Sequence, residues 1–329
     1  MKSASLLRLA CAALLVLVAV PVCAQSQEYP VRPIRLIVGF VPGGVADLLT
    51  RSLGQKLTEA WGQQVIVDNR AGAGGILAMQ IAAKAAPDGY TLLVCSNGPI
   101  IITPALRKGA LPYDPIRDYK AITSAASVPI VITVQPAHPA RSVQDLIRLA
   151  KAKQGPVMSY ASTGFGTMPH ITGELFKRVA GVDLTHVPYK GGNDAMIALL
   201  GGHVQVSFGA ISTALAHIRS GRLRPLGVSS LKRLAAIPDV PAIAEAGLPG
   251  FEVVQWFGVF APAGMSPAIV RKVNGELVRI LRSAEVNDHF SRQGVELLNS
   301  TPDEFALRVK AELPKWTRLL TEMNIGDAP

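Results

Sequence analysis

Short β-branched runs alternate with helical hydrophobic patterns along almost the whole of this 329-residue chain. Candidate strands are 34–40, 65–67, 91–95, 128–134, 157–161, 184–187, 204–208, 223–229 and 254–260. Between them Leu49, Leu53 and Leu57 recur at intervals of four. Ile211, Leu215 and Ile218 share one helical face, as do Ile269, Val273, Leu277 and Ile280. Each such helix must bury its apolar stripe against a sheet, so the chain is an α/β protein, with sheets expected to be mostly parallel. Helix starts are marked by Ser142 with Asp145, by Ser266 ahead of Pro267, and by the capping box Thr301-Pro302-Asp303-Glu304. Pro314 interrupts the pattern of Phe305, Val309 and Leu313 and is expected to kink or break that last helix. The proline-marked segments 113–119 and 238–249 read as loops, the first of them on the surface. The length suits two domains. Chain crossings near 128 and near 255 would make a first lobe of 25–127 plus 255–329 and a second of 128–254.

Residues 1–24 carry Lys2 and Arg8, then an uncharged apolar run from Leu9 to Val22, and end at Val22-Cys23-Ala24. This is the layout of a secretory signal peptide; the alternative, a permanent anchor helix, would have a run that is short for a span. Lipidation at Cys23 is disfavoured because Pro21 and Val22 precede it. Cleavage would remove Cys11 and Cys23 and lower the formal charge from +10 to +8. Cys95 would then stand alone, unable to form an internal disulfide or a cysteine-rich metal site, and its apolar surroundings mark it as core. With 49% hydrophobic residues and no run of like charge, the chain is neither disordered nor a polytopic membrane protein. No polybasic tract is present, so nucleic acid is not expected as a partner, and the mild positive excess would favour anionic small molecules.

One device occurs twice. The strand ending in Gly39-Phe40-Val41-Pro42-Gly43-Gly44-Val45-Ala46-Asp47 runs into the helix of Leu49. The strand ending in Ser162-Thr163-Gly164-Phe165-Gly166-Thr167-Met168-Pro169-His170 runs into the helix of Leu175. Glycines admit a ligand to the backbone, and the unpaired N–H groups of a helix start favour an anion by about 0.3–1 kcal/mol, or up to about 2 when partly buried. Two such ends could clamp a carboxylate without arginine, with Ser162, Thr163 and Thr167 as hydroxyl donors. The bland alternative is a pair of tight βα turns; their place at the C-terminal ends of strands favours binding. Asp47 would complement its helix, shape the loop or meet a ligand amine, and His170 would touch ligand or cap backbone. A third glycine loop, 69–75, fails the dinucleotide spacing because Leu77 stands where the last glycine belongs, and reads as structural with Arg70 solvated or paired. The six histidines make no metal-ligand spacing, no Gly-x-Ser-x-Gly elbow occurs, and no cofactor is expected.

The ordered set of motifs resembles the tripartite tricarboxylate transporter receptor family, also called the Bug family of periplasmic solute-binding proteins. It comprises Tyr29-Pro30-Val31-Arg32-Pro33-Ile34, Phe40-Val41-Pro42-Gly43-Gly44 with Asp47, and Val67-Asp68-Asn69-Arg70 with the glycines after it. Pro87-Asp88-Gly89-Tyr90, Leu111-Pro112-Tyr113-Asp114-Pro115, Gly164 to Thr167 with His170, and His186-Val187-Pro188-Tyr189-Lys190-Gly191 follow. Pro238-Asp239-Val240-Pro241 and Ala261-Pro262-Ala263-Gly264 complete it. The resemblance implies a two-lobe Venus-flytrap fold, type II, in the periplasm. It implies a monomer that captures a small carboxylate and delivers it to membrane transporter subunits, and that is not an enzyme. A module signalling to a membrane kinase and a periplasmic hydrolase using Asp47 or His170 are the alternatives. The implied ligand contacts are Phe40, Pro42, Gly43, Gly44, Val45, Asp47, Ser96, Asn97, Ser162, Thr163, Gly164, Phe165, Gly166, Thr167, His170 and Tyr189. Val45-Ala46 and Ser96-Asn97-Gly98-Pro99-Ile100 depart from the family pattern by losing hydroxyls or adding apolar surface. They point to a ligand with one carboxylate and a less polar, even aromatic, body rather than to citrate.

Overall fold

Strand β1 (Ile34–Val38) lies between β2 (Val65–Asn69) and β3 (Thr91–Ser96), parallel to both. The crossovers are α1 (Val45–Trp61) and α2 (Ile76–Ala83). The computed structural model describes residues 29–107, 111–152 and 156–325; the expected leader, Cys11 and Cys23 lie outside them. The described residues from Arg32 onward form one compact unit. Leu49, Leu53 and Leu57 are fully buried, as their four-residue spacing demands.

After β3 comes a π-helical turn (Gly98–Ile102) and α3 (Thr103–Leu106). Strand β4 (Tyr119–Val134) then runs for 16 residues through two sheets. Its first part, as far as Pro129, pairs antiparallel with β9 (Val254–Pro262), which in turn pairs antiparallel with β3. From Ile130 onward it pairs antiparallel with β7 (Val206–Ala210) and β8 (Arg224–Val228). The second sheet continues from β7 to β5 (Ser159–Ser162) and β6 (Thr185–Pro188), all parallel. Its helices are α4 (Val143–Ala152), α5 (Met168–Ala180), α6 (Gly192–Leu200) and α7 (Ile211–Arg219). The chain returns through β9 to α8 (Pro267–Leu281), α9 (Ala284–Ser291), the short β10 (Glu296–Leu297) on β4, and α10 (Pro302–Glu322).

Three expectations need correction. The sheets are not mostly parallel: β4 and β9 run against their neighbours, so the parallel order holds only within each strand triple. The segment 113–119 is not merely a surface loop. Tyr113 and Tyr119 are buried, their hydroxyls donating to Pro99 O and to Met79 O. Helix α10 is continuous through Pro314. Phe305 and Val309 before the proline and Trp316 and Leu320 after it are all buried. That shared face, with the complete Thr301–Glu304 capping box, outweighs the ~3 kcal/mol that an interior proline costs.

The crossing strands are stapled by side chains where the chain passes between sheets. Ser229 Oγ accepts Ile130 N–H at 2.9 Å and donates to Val253 O at 2.5 Å. Asn97 donates from Nδ2 to Val254 O at 3.0 Å.

Candidate functional site

Four helices begin around one narrow pocket of about 50 Å³. Gly44 and Val45 bring the start of α1, Pro169 that of α5, Gly191 and Gly192 that of α6, and Ala210 that of α7. None of the four has a side-chain cap. The first-turn N–H groups of α1, α6 and α7 are therefore available to a ligand, while α5 meets the pocket at Pro169, which has no N–H, and adds the positive end of its dipole. The walls are otherwise Phe40, Val41, Ala46 and Phe257, with Thr163, Thr213 and Gln255 as the polar side chains. Phe40, Val41 and Thr163 also line a wider outer cavity of about 560 Å³. Its remaining walls include the loop 71–76, Phe165 and Tyr189, with Arg107 and Lys190 from opposite sides. Among the described residues, no aspartate or glutamate lines either cavity. An anion would thus meet only dipoles and cations, whereas a cation would meet no counter-charge.

Of the residues expected at the ligand, Phe40, Gly44, Val45, Thr163, Gly164, Phe165 and Tyr189 line the cavities. Pro42, Gly43, Asp47, Ser96, Asn97, Ser162, Gly166, Thr167 and His170 do not. Asp47 is buried and fully engaged: Oδ2 accepts Gly43 N–H at 3.0 Å and Arg51 Nε at 2.9 Å, and Oδ1 accepts Asn69 Nδ2 at 2.9 Å. Burial works to raise its carboxyl, but the Arg51, Gly43 and Asn69 bonds prevail and hold it below the usual carboxylate value. It shapes the loop that presents α1. Gly43 has φ +82°, a conformation that glycine adopts without strain. Ser96 accepts Gly98 N–H at 3.3 Å, and Asn97 bonds to β9, so both are structural.

The second loop is pinned from within, and its hydroxyls do not donate outward as expected. Thr167 Oγ1 donates to Gly164 O at 2.6 Å, which leaves Thr163 Oγ1 to donate to Thr167 Oγ1 at 3.1 Å. Fully buried Ser162 accepts Gly164 N–H at 3.1 Å and lies 2.6 Å from His186 Nε2. His170 Nδ1 accepts Gly166 N–H at 3.4 Å, and the His170 ring sits between Phe165 and His186, with centroids at 4.6 and 4.4 Å. Burial, then the neighbouring His186 and Lys177, bring His170 down to about 3. His186 is likewise pushed down by burial, to about 4. Both rings are neutral props under the loop.

The loops of the two sheets touch. A Cβ on Gly191 would lie 2.5 Å from Val41 Cγ2, one on Gly74 2.8 Å from Phe165 O, and one on Gly166 2.9 Å from Thr103 Oγ1. Only glycine allows that approach. The loop 69–75 therefore does more than the structural duty expected of it, since Ala71–Gly75 face the outer cavity, while Arg70 pairs with Asp68 at 2.9 Å. Sequence reasoning missed that loop, Arg107, Thr213 and Gln255. The glycine pair 191–192, opening a helix after a strand, is a third instance of the device and was there to be found. Gln255, inside a strand, carried no such signal. Among the described residues, no group of three or more histidine, cysteine, aspartate or glutamate side chains could hold a metal ion, and no helix is long and apolar enough to cross a membrane.

A family model described as tripartite tricarboxylate transporter family receptor matches residues 49–325. BugT of Bordetella pertussis is 36% identical over 305 residues, covering 93% of this chain and 93% of that protein. An R. palustris protein solved with adipate matches with a TM-score of 0.86 and 32% identity over 90% of this chain and 99% of its own. MatC from Rhodopseudomonas palustris, solved with bound malate, matches with a TM-score of 0.83 and 30% identity over 89% of this chain and 100% of its own.

Proposed function

The chain belongs to the tripartite tricarboxylate transporter receptor family, and we propose that it is a periplasmic receptor that closes two lobes on a small carboxylate and presents it to membrane transporter subunits. The observation that carries this reading is the inner pocket, ringed by four uncapped helix starts and free of acidic side chains. An anion there needs no arginine. Adipate and malate in two structural relatives support the ligand class. Phe40, Val41, Val45 and Phe257 favour a ligand whose body is less polar than citrate.

The lobes of this reading are 25–127 with 255–329, and 128–254. The change of partners along β4 between Pro129 and Ile130 supports that division. The receptor works as a monomer and leaves its ligand chemically unchanged: Asp47 and His170, the residues a hydrolase would use, are buried in structural bonds away from both cavities.

Mass spectrometry of the small molecule that copurifies, followed by a thermal-shift panel of carboxylates, tests the reading. A true ligand at one hundred times its Kd stabilises the protein by about 2.7 kcal/mol. A folded protein that no carboxylate stabilises would overturn the ligand class, and turnover of the bound acid would overturn the receptor role. Uptake that depends on this protein separates transport from signalling to a kinase.

A further inference from the structure

Gln255 is 6% exposed and lines the inner pocket from β9, and among the described residues its side-chain amide has no hydrogen-bond partner. Its amide atoms are not among the sealed polar atoms that lack a partner, so they stay open to whatever enters the pocket, water or ligand. The two hydroxyls beside it narrow what that can be. Thr213 Oγ1 donates to Ala210 O at 2.9 Å, and Thr163 Oγ1 donates to Thr167 Oγ1 at 3.1 Å. With their protons directed into the protein, both oxygens can only accept, and Gln255 contributes a further acceptor in Oε1 beside the two donors of Nε2. The inner pocket therefore has two sets of groups: N–H donors at the helix starts and at Gln255 Nε2, and side-chain acceptors at Thr163, Thr213 and Gln255 Oε1.

A plain carboxylate satisfies only the first set. The second requires a ligand group with a proton to donate. A hydroxyl supplies one without charge, while an ammonium would place a cation among four positive helix ends with no acidic side chain lining either cavity. We propose that Gln255, with Thr163 and Thr213, selects a hydroxy acid over both the deoxy acid and the amino acid of the same skeleton. This rests on the carboxylate-receptor reading and adds the identity of the second recognised group.

Titration calorimetry with matched triplets tests it: malate, succinate and aspartate; mandelate, phenylacetate and phenylglycine; lactate, propionate and alanine. In whichever skeleton binds, the hydroxy acid is expected to bind at least tenfold more tightly than its deoxy partner and than its amino partner. Gln255→Leu is expected to bring the hydroxy-to-deoxy ratio within threefold, and Thr213→Val, isosteric in the first turn of α7, to reduce it. Equal binding of hydroxy and deoxy acids, tightest binding of the amino acid, or a ratio unmoved in both folded variants would overturn the inference while leaving the receptor reading standing. Failure of every acid in all three skeletons would overturn the inference, and the receptor reading with it if no carboxylate of the thermal-shift panel stabilised the protein.

Discussion

Asp47 Oδ2 accepts the Gly43 N–H at 3.0 Å, so the loop before α1 is tied to the first turn of the helix it introduces. Asp47→Ala removes the acceptor of that N–H and leaves the Asn69 amide with Phe40 O alone, a cost of about 0.5–1.5 kcal/mol for each bond lost. Asp47→Asn keeps an acceptor and should cost less. Urea unfolding should rank the stabilities wild type, Asn, Ala, and carboxylate affinity should fall in the same order because the α1 N–H groups lose their placement. Because the folded carboxyl sits below its ordinary 3.8, its stabilisation is present above that value and lost as pH falls through the lower folded value. Equal stability of Asp47→Ala and wild type at pH 7 would show that the loop holds itself.

His170 and His186 make the fold sensitive to mild acid. Their ordinary value is 6.5, against about 3 and about 4 in the folded chain. Below pH 6.5 the unfolded chain takes up protons that the folded chain refuses, so stability falls with falling pH. His170 alone accounts for a loss of up to about 1.4 kcal/mol per pH unit in that window. The comparison belongs between pH 7.5 and 5, above the range where Asp47, Asp68 and Asp118, with ordinary values of 3.8, begin to titrate. His170→Gln, which retains an acceptor for the Gly166 N–H, should flatten the urea midpoint against pH. A slope identical to wild type would mean that His170 does not drive it.

Cys95 lies in β3 at 1% exposure, and burial pushes its thiol well above the usual cysteine range. Native protein should leave a chromogenic disulfide reagent unreacted over the time in which urea-unfolded protein reacts fully. Rapid labelling of the folded protein would show that β3 opens locally.

The strands and the glycine loops were legible because they are local: β-branched runs bounded by turns, and glycines at positive φ such as Gly164 and Gly166. The length of β4 was not, because Ser124 to Ser127 are small residues of weak strand preference, held extended by β9. Asp47 and His170 were legible as important residues of the loops but not as supports under them. Residue type gives no sign of which way a side chain points, and their partners Asn69 and His186 lie 22 and 16 residues away. Gln255 was illegible for the same reason, since its neighbours at the pocket come from four other segments of chain.

Closure itself can be tested at Gly191 and Val41, which meet from opposite sides of the cleft. A Cβ on Gly191 would come to 2.5 Å from Val41 Cγ2. Gly191 has φ −166° and ψ 172°, extended backbone open to any residue, so alanine adds steric conflict there without backbone strain. If the halves separate, the conflict disappears; it opposes only the closed form. Gly191→Ala should therefore weaken carboxylate binding by about 1–3 kcal/mol, the usual cost of overpacking, or roughly five- to hundredfold in Kd. The unfolding midpoint should move less, by the few tenths to about 1 kcal/mol that alanine costs at a helix N-cap. Val41→Ala removes the atom that Gly191→Ala strikes, so the double variant should recover most of the affinity lost by Gly191→Ala. A capping defect alone would not respond to Val41. Affinity loss in the double variant equal to that of Gly191→Ala would place the defect in α6 rather than in closure.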